Sequence, residues 1–99
     1  MAVNRRAAKR DGNEGEIMKA LRDAGATVQQ LSAKGVPDLL VGYKTRNILI
    51  EVKMPGEGLT EPQETWQQLW RGTVWVVYNV SMALYVLETY DELDRMMMQ

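Results

Sequence analysis

The sequence predicts an α/β domain with a mixed sheet, and three observations lead to this fold class. Apolar residues recur with a helical period after Asn13, a long apolar run between residues 39 and 52 contains one tight turn, and a second helix-to-strand succession begins at Thr60. Helices that alternate with strands in this way pack against a sheet. The chain has 99 residues, of which 45% are hydrophobic, and this suffices for one domain with a small core.

The first helix is predicted to run from Asn13 to Gly25. Asn13 is a good N-cap, and Glu16 follows at the spacing of a capping box, with its side chain towards water. Gly25 suits the left-handed conformation that ends many helices. The apolar stripe of this helix comprises Ile17, Met18 and Leu21.

Glu14 stands three, four and seven residues before the apolar positions of this helix. On a helical period it shares their face and points towards the body of the protein. The ordinary alternative is a first-turn acid that only interacts favourably with the helix dipole.

Three strands are predicted next. The segment "TVQQL" is a short strand, and the loop "SAKGVP" ends at Pro37, which can begin a strand at its edge. "DLLVGY" and "RNILIEVKM" form a hairpin around the turn "KTRN". Side chains alternate between the faces of the second hairpin strand. One face carries Ile48, Ile50 and Val52, and the other carries Leu49, Glu51 and Lys53.

A further helix is predicted from Thr60, a suitable N-cap, to Gly72, with Pro62 in its first turn. It is followed by the strand "TVWVVYNV". The segment "SMALYVLE" is compatible with a strand or with a short helix capped by Ser81, and we favour the helix. A last helix begins at Thr89. One face of the helix after Thr60 carries Gln63, Trp66 and Trp70.

The composition excludes several kinds of site. Without Cys or His, the chain has no disulfide, no thiolate or imidazole ligand and no histidine base. Catalysis would have to use carboxylates, Lys, Tyr, hydroxyls or a hard metal ion. No apolar run is long enough to span a bilayer, and the basic N-terminus lacks the apolar core of a secretory signal. We therefore expect a cytoplasmic protein with no membrane partner and no organic cofactor.

Basic residues are concentrated at the N-terminus, although the net charge is only -1. We interpret residues 1–12 as a flexible basic arm and residues 13–99 as the single domain. The arm is either merely disordered or contacts phosphates, which would make affinity salt-dependent. The candidate DNA-contacting residues are Lys34 in the first loop and, in the arm, Arg5, Arg6, Lys9 and Arg10.

Charged residues flank the apolar hairpin. Asp38 opens its first strand, and Glu51 and Lys53 end the second, with Cα atoms roughly 6.6 Å apart on one face. A hairpin that closes at residues 44–47 would place Asp38 opposite a residue near Lys53, within reach of Glu51. Taken alone, an E-x-K pattern is also typical of a solvated strand edge.

Three carboxylates are thus expected close together, since the helix with Glu14 must cover this sheet. Their mutual repulsion would be relieved by a divalent cation, and hard oxygen ligands suit Mg²⁺ or Mn²⁺. Such an ion lowers the pKa of a bound water and orients a phosphate, while Lys53 can hold that water or offset negative charge. The pattern is compatible with phosphodiester hydrolysis.

The residues at this point resemble a known family. Pro37-Asp38 followed by "EVK" is similar to the PD-(D/E)xK nuclease signature. More narrowly, "KGVPDLLVG", "ILIEVKMPGEGLTEPQETW" and "NEGEIMKALRDAG" resemble the VRR-NUC nucleases over residues 13–80. The archaeal Holliday-junction resolvases are more distant relatives. The resemblance implies a restriction-endonuclease-like core, with an αβββαβ mixed sheet flanked by helices.

The resemblance also implies roles for individual residues. Lys53 matches the catalytic lysine, and Gln63 matches a glutamine near the site that we group with the catalytic residues. Alternatively, Gln63 is an ordinary helix-surface residue. Metal coordination is implied for Glu14, Asp38, Glu51 and the backbone carbonyl of Val52.

These features predict a Mg²⁺-dependent endonuclease for branched DNA, with Mn²⁺ also supporting activity. By resemblance it would be a homodimeric Holliday-junction resolvase, of phage or prophage origin and acting in a bacterial host cell. The terminal methionines, residues 96–98, are either a frayed end or bury apolar surface between two copies. The alternatives are a flap, fork or nicking nuclease with the same mechanism, and an inert DNA-binding accessory protein.

Overall fold

The computed structural model describes residues 12–98. Within this range the helices are α1 (Glu14–Asp23), α2 (Glu61–Leu69) and α3 (Val80–Met97), and the strands are β1 (Thr27–Gln30), β2 (Leu39–Tyr43), β3 (Arg46–Val52) and β4 (Val74–Val77). The four strands form one sheet in the order β1-β2-β3-β4. β2 is antiparallel to β1 and β3, whereas β4 is parallel to β3. The predicted mixed α/β architecture is confirmed, and α3 follows the αβββαβ core.

The core lies between the sheet and the two helices α1 and α3. Alternate residues of β2, and of β3 as far as Ile50, are buried, as the period of a strand requires, and the last three residues of β3 are all buried. The opposite face of the sheet is turned towards α2. There Trp66 and Trp70 line a groove together with Leu40 and Leu49. The buried core comprises Ile17, Leu21, Ala26, Leu39, Val41, Tyr43, Ile48, Ile50, Val52, Val77, Ala83, Val86 and Leu87.

The hairpin turn is shorter than predicted. Only Lys44 and Thr45 separate β2 from β3, and both have positive φ, 48° and 67°. A two-residue turn of this kind matches the twist of the flanking strands. Leu39 therefore lies opposite Ile50. Continuing this register by one step places Asp38 beside Glu51, and the predicted position near Lys53 is wrong by two residues.

The capping box predicted for α1 is absent. Asn13 precedes the helix but its side chain makes no cap hydrogen bond, and Glu16 is exposed as expected. The C-terminal end agrees with the prediction. Gly25 has a φ of 103°, and its amide and that of Ala26 donate to the carbonyls of Arg22 and Leu21. This pattern is a Schellman motif.

The predicted capping of α2 is confirmed. The side chains of Thr60 and Gln63 each bond the other's backbone amide, and Pro62 lies in the first turn. The helix ends at Leu69, three residues earlier than expected. This leaves Trp70 as an extended cap residue stacked on Trp66, with ring centroids 4.8 Å apart.

The C-terminal segment is one continuous helix. The helix favoured for "SMALYVLE" and the helical prediction from Thr89 are confirmed, and the strand alternative is wrong. Asn79 rather than Ser81 is the N-cap, because its side chain accepts from the Met82 amide at 2.8 Å. None of the helices in the described part of the chain is long and apolar enough to cross a membrane.

The hairpin tip is held against α3 by polar contacts. The Tyr43 hydroxyl and the Lys44 ammonium both donate to the Asp91 carboxylate, and Arg46 pairs with Asp94 at 2.7 Å. Lys44 foremost, and then Tyr43, lower the pKa of Asp91. These contacts restrain the position of β3 along its own axis. They therefore also restrain the residues at its C-terminal end.

We expect the Thr45→Gly substitution to stabilise the protein by about 1 kcal/mol, because a β-branched residue is strained at positive φ and glycine is not. Urea unfolding followed by circular dichroism measures this change. Thr73→Gly is the control, since Thr73 is exposed and its φ is not positive. Thr73→Gly should lower the free energy of unfolding slightly, and an equal loss in both variants would contradict the strain argument.

Candidate active site

The candidate site lies at the C-terminal end of β3. Glu51 and Lys53 stand at this end, and the antiparallel pairing brings the residue before β2, Asp38, next to them. The N-terminus of α1 adds Glu14. Three of these ionisable side chains are almost fully buried, with exposed fractions of 1% for Glu51, 3% for Glu14 and 7% for Lys53. Buried charges of this kind are rare outside functional or paired positions.

Asp38 is fixed against the backbone of β3. Its Oδ2 atom accepts a hydrogen bond of 2.8 Å from the Val52 amide, and its own carbonyl accepts one from the Leu31 amide, also at 2.8 Å. Pro37 immediately before it is fully buried. One carboxylate oxygen of Asp38 is thus held beside Val52, the residue that follows Glu51.

Glu51 is held by two groups. Its Oε2 atom accepts from Gln63 Nε2 at 3.0 Å and lies 3.9 Å from Lys53 Nζ. The capping box determines which end of the Gln63 amide faces Glu51. Because Gln63 Oε1 accepts from the Thr60 amide at 2.9 Å, only the Nε2 group is left to point at the carboxylate. Gln63 therefore contacts Glu51, and its grouping with the catalytic residues stays a prediction.

Glu14 is held in the same way by a residue that the sequence did not indicate. Gln30, the last residue of β1, donates from Nε2 to Glu14 Oε2 at 2.8 Å. Gln30 pairs with Leu39, the neighbour of Asp38, so this contact lies next to the site. A glutamine on an edge strand has no distinctive sequence pattern, and only the register of the sheet could have indicated it.

The sequence predicts Asn13 as a helix cap, but its side chain has a different role in the structure. Its Nδ2 group donates to two backbone carbonyls, that of Lys53 at 3.1 Å and that of Tyr78 at 2.9 Å. It is 8% exposed. The contact links the start of α1 to the ends of β3 and β4.

The loop before Asp38 is seated on α2. Gly35 has a φ of 80°, and a Cβ atom there would come 2.7 Å from the Pro62 carbonyl oxygen. Only glycine permits both the backbone conformation and the close approach. Lys34, the neighbouring candidate for a DNA contact, is exposed in this loop. The candidates Arg5, Arg6, Lys9 and Arg10 lie outside the described residues.

The donor set suits a hard cation, but not through three converging carboxylates. Within residues 12–98, no group of three or more Asp or Glu side chains is arranged to hold one ion. One oxygen of Glu14 accepts a hydrogen bond from Gln30. Asp38, Glu51 and the Val52 carbonyl remain as oxygen donors at one strand end. Mg²⁺ commonly takes one or two carboxylates and keeps several waters, so this smaller set fits it. The metal and the ligand roles stay predictions.

Comparison with known proteins gives one structural match. A solved chain described as a VRR_NUC domain superposes with a TM-score of 0.66 and 25% sequence identity, covering 81% of this chain and 99% of that one. No family model matches the sequence, and no curated protein matches it. The predicted resemblance and the restriction-endonuclease-like fold are confirmed. The match indicates a nuclease domain of the VRR-NUC type.

We expect the Gln63→Glu substitution to destabilise the metal-free protein by about 1–3 kcal/mol at pH 8, and less as the pH falls to about 5. A glutamate retains the capping box but places a second carboxylate against buried Glu51. The pair raises a carboxyl pKa in the folded state, so the folded protein binds a proton more readily and the penalty disappears at low pH. Urea unfolding at several pH values in EDTA measures this.

Gln68→Glu is the matched control, because Gln68 lies exposed on the same helix. It should show no comparable pH-dependent loss. A Gln63→Glu variant that unfolds with the same pH profile as Gln68→Glu would show that the amide contact to Glu51 is unimportant.

Proposed function

We propose that this chain is a Mg²⁺-dependent endonuclease that hydrolyses phosphodiester bonds in branched DNA. The observation that carries the proposal is the buried Glu51 carboxylate at the end of β3, flanked by Asp38 on the neighbouring strand and by the Lys53 ammonium at 3.9 Å. A carboxylate pair with one lysine, in a fold shared with a VRR_NUC domain, fits metal-assisted hydrolysis better than any reaction that needs a histidine or a thiol.

Asp38 and Glu51 would hold the ion, together with the Val52 carbonyl. When bound, Mg²⁺ supplies an acidified water and stabilises the charge that develops on the phosphate. The protein contributes rigidity. Asp38 is held by the Val52 amide and Glu51 by Gln63, so neither carboxylate has to reorganise during the reaction. Mn²⁺, which accepts similar oxygen ligands, should also support cleavage.

Lys53 would act on the phosphate side of the site. Its ammonium lies 3.9 Å from Glu51 Oε2, and its side chain is 91% buried, which restricts its conformations. From there it can position the attacking water or offset negative charge in the transition state. Glu14 would add negative potential from the other side and help to retain the cation through water.

A homodimer would account for cleavage of paired strands. One small domain with one site makes one cut, whereas a twofold dimer presents two sites to a four-way junction, which is itself close to twofold symmetric. The exposed apolar residues on α3 support this proposal, because a soluble monomer rarely exposes several large ones together. They are Met82, Tyr85, Leu93, Met96 and Met97, followed by Met98. A phage or prophage origin and a cytoplasmic site of action are part of the same proposal.

The decisive experiment compares four labelled DNAs: a four-way junction, a 5′ flap, a splayed fork and a linear duplex. We expect symmetric cuts in the junction with Mg²⁺ or Mn²⁺ and none with EDTA. Lys53→Ala and Asp38→Ala should each lose about 100-fold or more in rate. Lys19→Ala is the matched control, because Lys19 is exposed on α1 and pairs only with Asp23 among the contacts described.

Each outcome discriminates between the candidate functions. A preference for flaps or forks, or single nicks, would keep the metal mechanism and replace the junction. Binding without cleavage in either metal would favour the accessory-protein alternative. Full activity in Asp38→Ala or Lys53→Ala would refute the assigned site.

The dimer is tested separately by light scattering at micromolar concentration. We expect the wild-type chain to be a dimer and Leu93→Glu to be a monomer, since a charge at the centre of an apolar interface costs its desolvation. Glu88→Gln, on an exposed position of the same helix, should remain dimeric. A monomeric wild-type chain would rule out paired cutting but not nicking.

A further inference from the structure

Asn13 makes a contact that neither helix capping nor the proposed chemistry requires. Its side-chain amide donates two hydrogen bonds to main-chain carbonyls. One carbonyl is that of Lys53, just after β3, at 3.1 Å, and the other is that of Tyr78, just after β4, at 2.9 Å. These partners lie 40 and 65 residues away in the chain. Asn13 itself is 92% buried. The next residue is Glu14, and one of the two partners is the lysine of the site.

The position of this contact explains why a side chain is needed there. β3 and β4 remain paired to Val52 and Val77, and the Lys53 amide still donates to the Val77 carbonyl at 2.9 Å. Beyond this point the strands separate, because Met54 enters a loop and Asn79 caps α3. Buried carbonyls left by separating strands require other donors. Asn13 supplies them to both strand ends at once.

The orientation of the amide is determined by its partners. Two carbonyl oxygens face it, so the Nδ2 group must point towards them and the Oδ1 atom away. Oδ1 is buried and has no hydrogen-bond partner among the described residues. In a helix N-cap the oxygen would instead accept from a backbone amide. The side chain of Asn13 therefore acts as a donor in this fold, and the helix start is left without a side-chain cap.

We propose that Asn13 is a positioning residue for the active site. By bonding the Lys53 carbonyl it fixes the start of α1, and thus Glu14, relative to the end of β3. Glu14 is then held from two directions, through its own backbone by Asn13 and through its carboxylate by Gln30 at 2.8 Å. The same bond restrains the main chain of Lys53. This inference rests on the proposed function, because it assigns Asn13 to the same metal and phosphate site.

Two variants separate this role from helix capping. Asn13→Ala removes the donor. Asn13→Asp keeps the size and is an equally good N-cap, and its charge is favourable at a helix N-terminus, but it turns an oxygen towards the two carbonyls. Asn79→Ala is the matched control, because Asn79 is also a helix N-cap with one side-chain bond, at the start of α3.

Three measurements are made on each full-length variant: the melting temperature in EDTA, the Kd for Mg²⁺ by calorimetry, and kcat and KM on the cleaved DNA. For both Asn13 variants we expect Mg²⁺ affinity and kcat to fall by about 10- to 100-fold, as for other residues that orient ligands indirectly. KM should change little. Asn79→Ala should lower the melting temperature and leave the Mg²⁺ Kd unchanged.

A purely structural role gives a different result. In that case the Asn13 variants would melt earlier in EDTA, like Asn79→Ala, but keep the wild-type Kd and kcat, and the proposal would be overturned. Wild-type behaviour of Asn13→Asp would overturn it as well, and would return Asn13 to a capping role. If Asn13→Ala does not fold, Asn13→Asp alone decides. A wild-type chain that neither binds Mg²⁺ nor cuts DNA would refute the proposed function itself, and this inference with it.

Discussion

The burial of the Glu51 carboxylate is the constraint on which the rest of the site depends. A charge taken out of water must be met by hydrogen bonds or by an opposite charge, or folding would neutralise it. Gln63 and Lys53 meet this requirement. Gln63 can do so only because α2 starts at Thr60, and α2 is seated by the close approach of Gly35 to Pro62. The loop, the capping box and the strand end are therefore one connected arrangement.

The residues that hold the carboxylates are mainly neutral amides. Gln63 bonds Glu51, Gln30 bonds Glu14, and a backbone amide bonds Asp38. An arginine in these positions would form an ion pair and cancel the negative charge. Amide donors orient a carboxylate and leave its charge in place, which is what a site for a divalent cation requires. Asn13 extends the same chemistry to the main chain at the ends of β3 and β4.

Where local patterns carried the information, the sequence predicted the fold well. The Thr60 N-cap of α2 and the Gly25 end of α1 depend on near neighbours, and both were confirmed. The errors at the hairpin and at Asn13 have different causes. The turn residues Lys44 and Thr45 adopt positive φ, although neither residue type is typical of that conformation. The register of the hairpin therefore differs from the predicted register. Asn13 is a residue type that often caps helices, but its side chain donates to two distant main-chain carbonyls instead.

The sequence by itself determined the α/β class, the resemblance to the VRR-NUC nucleases and the candidate residues Glu14, Asp38, Glu51, Lys53 and Gln63. Local spacing and residue type suffice for the fold class and for Glu14, Asp38, Glu51 and Lys53 as a charged cluster, whereas Gln63 was singled out by the resemblance. Only the tertiary structure decided that Asp38 lies beside Glu51, that Gln30 holds Glu14, and that no three carboxylates within residues 12–98 are arranged to hold one ion. The physical reason is that register and side-chain hydrogen bonds join residues far apart in the chain. Which donor meets which buried acceptor is settled only when the strands and helices pack together.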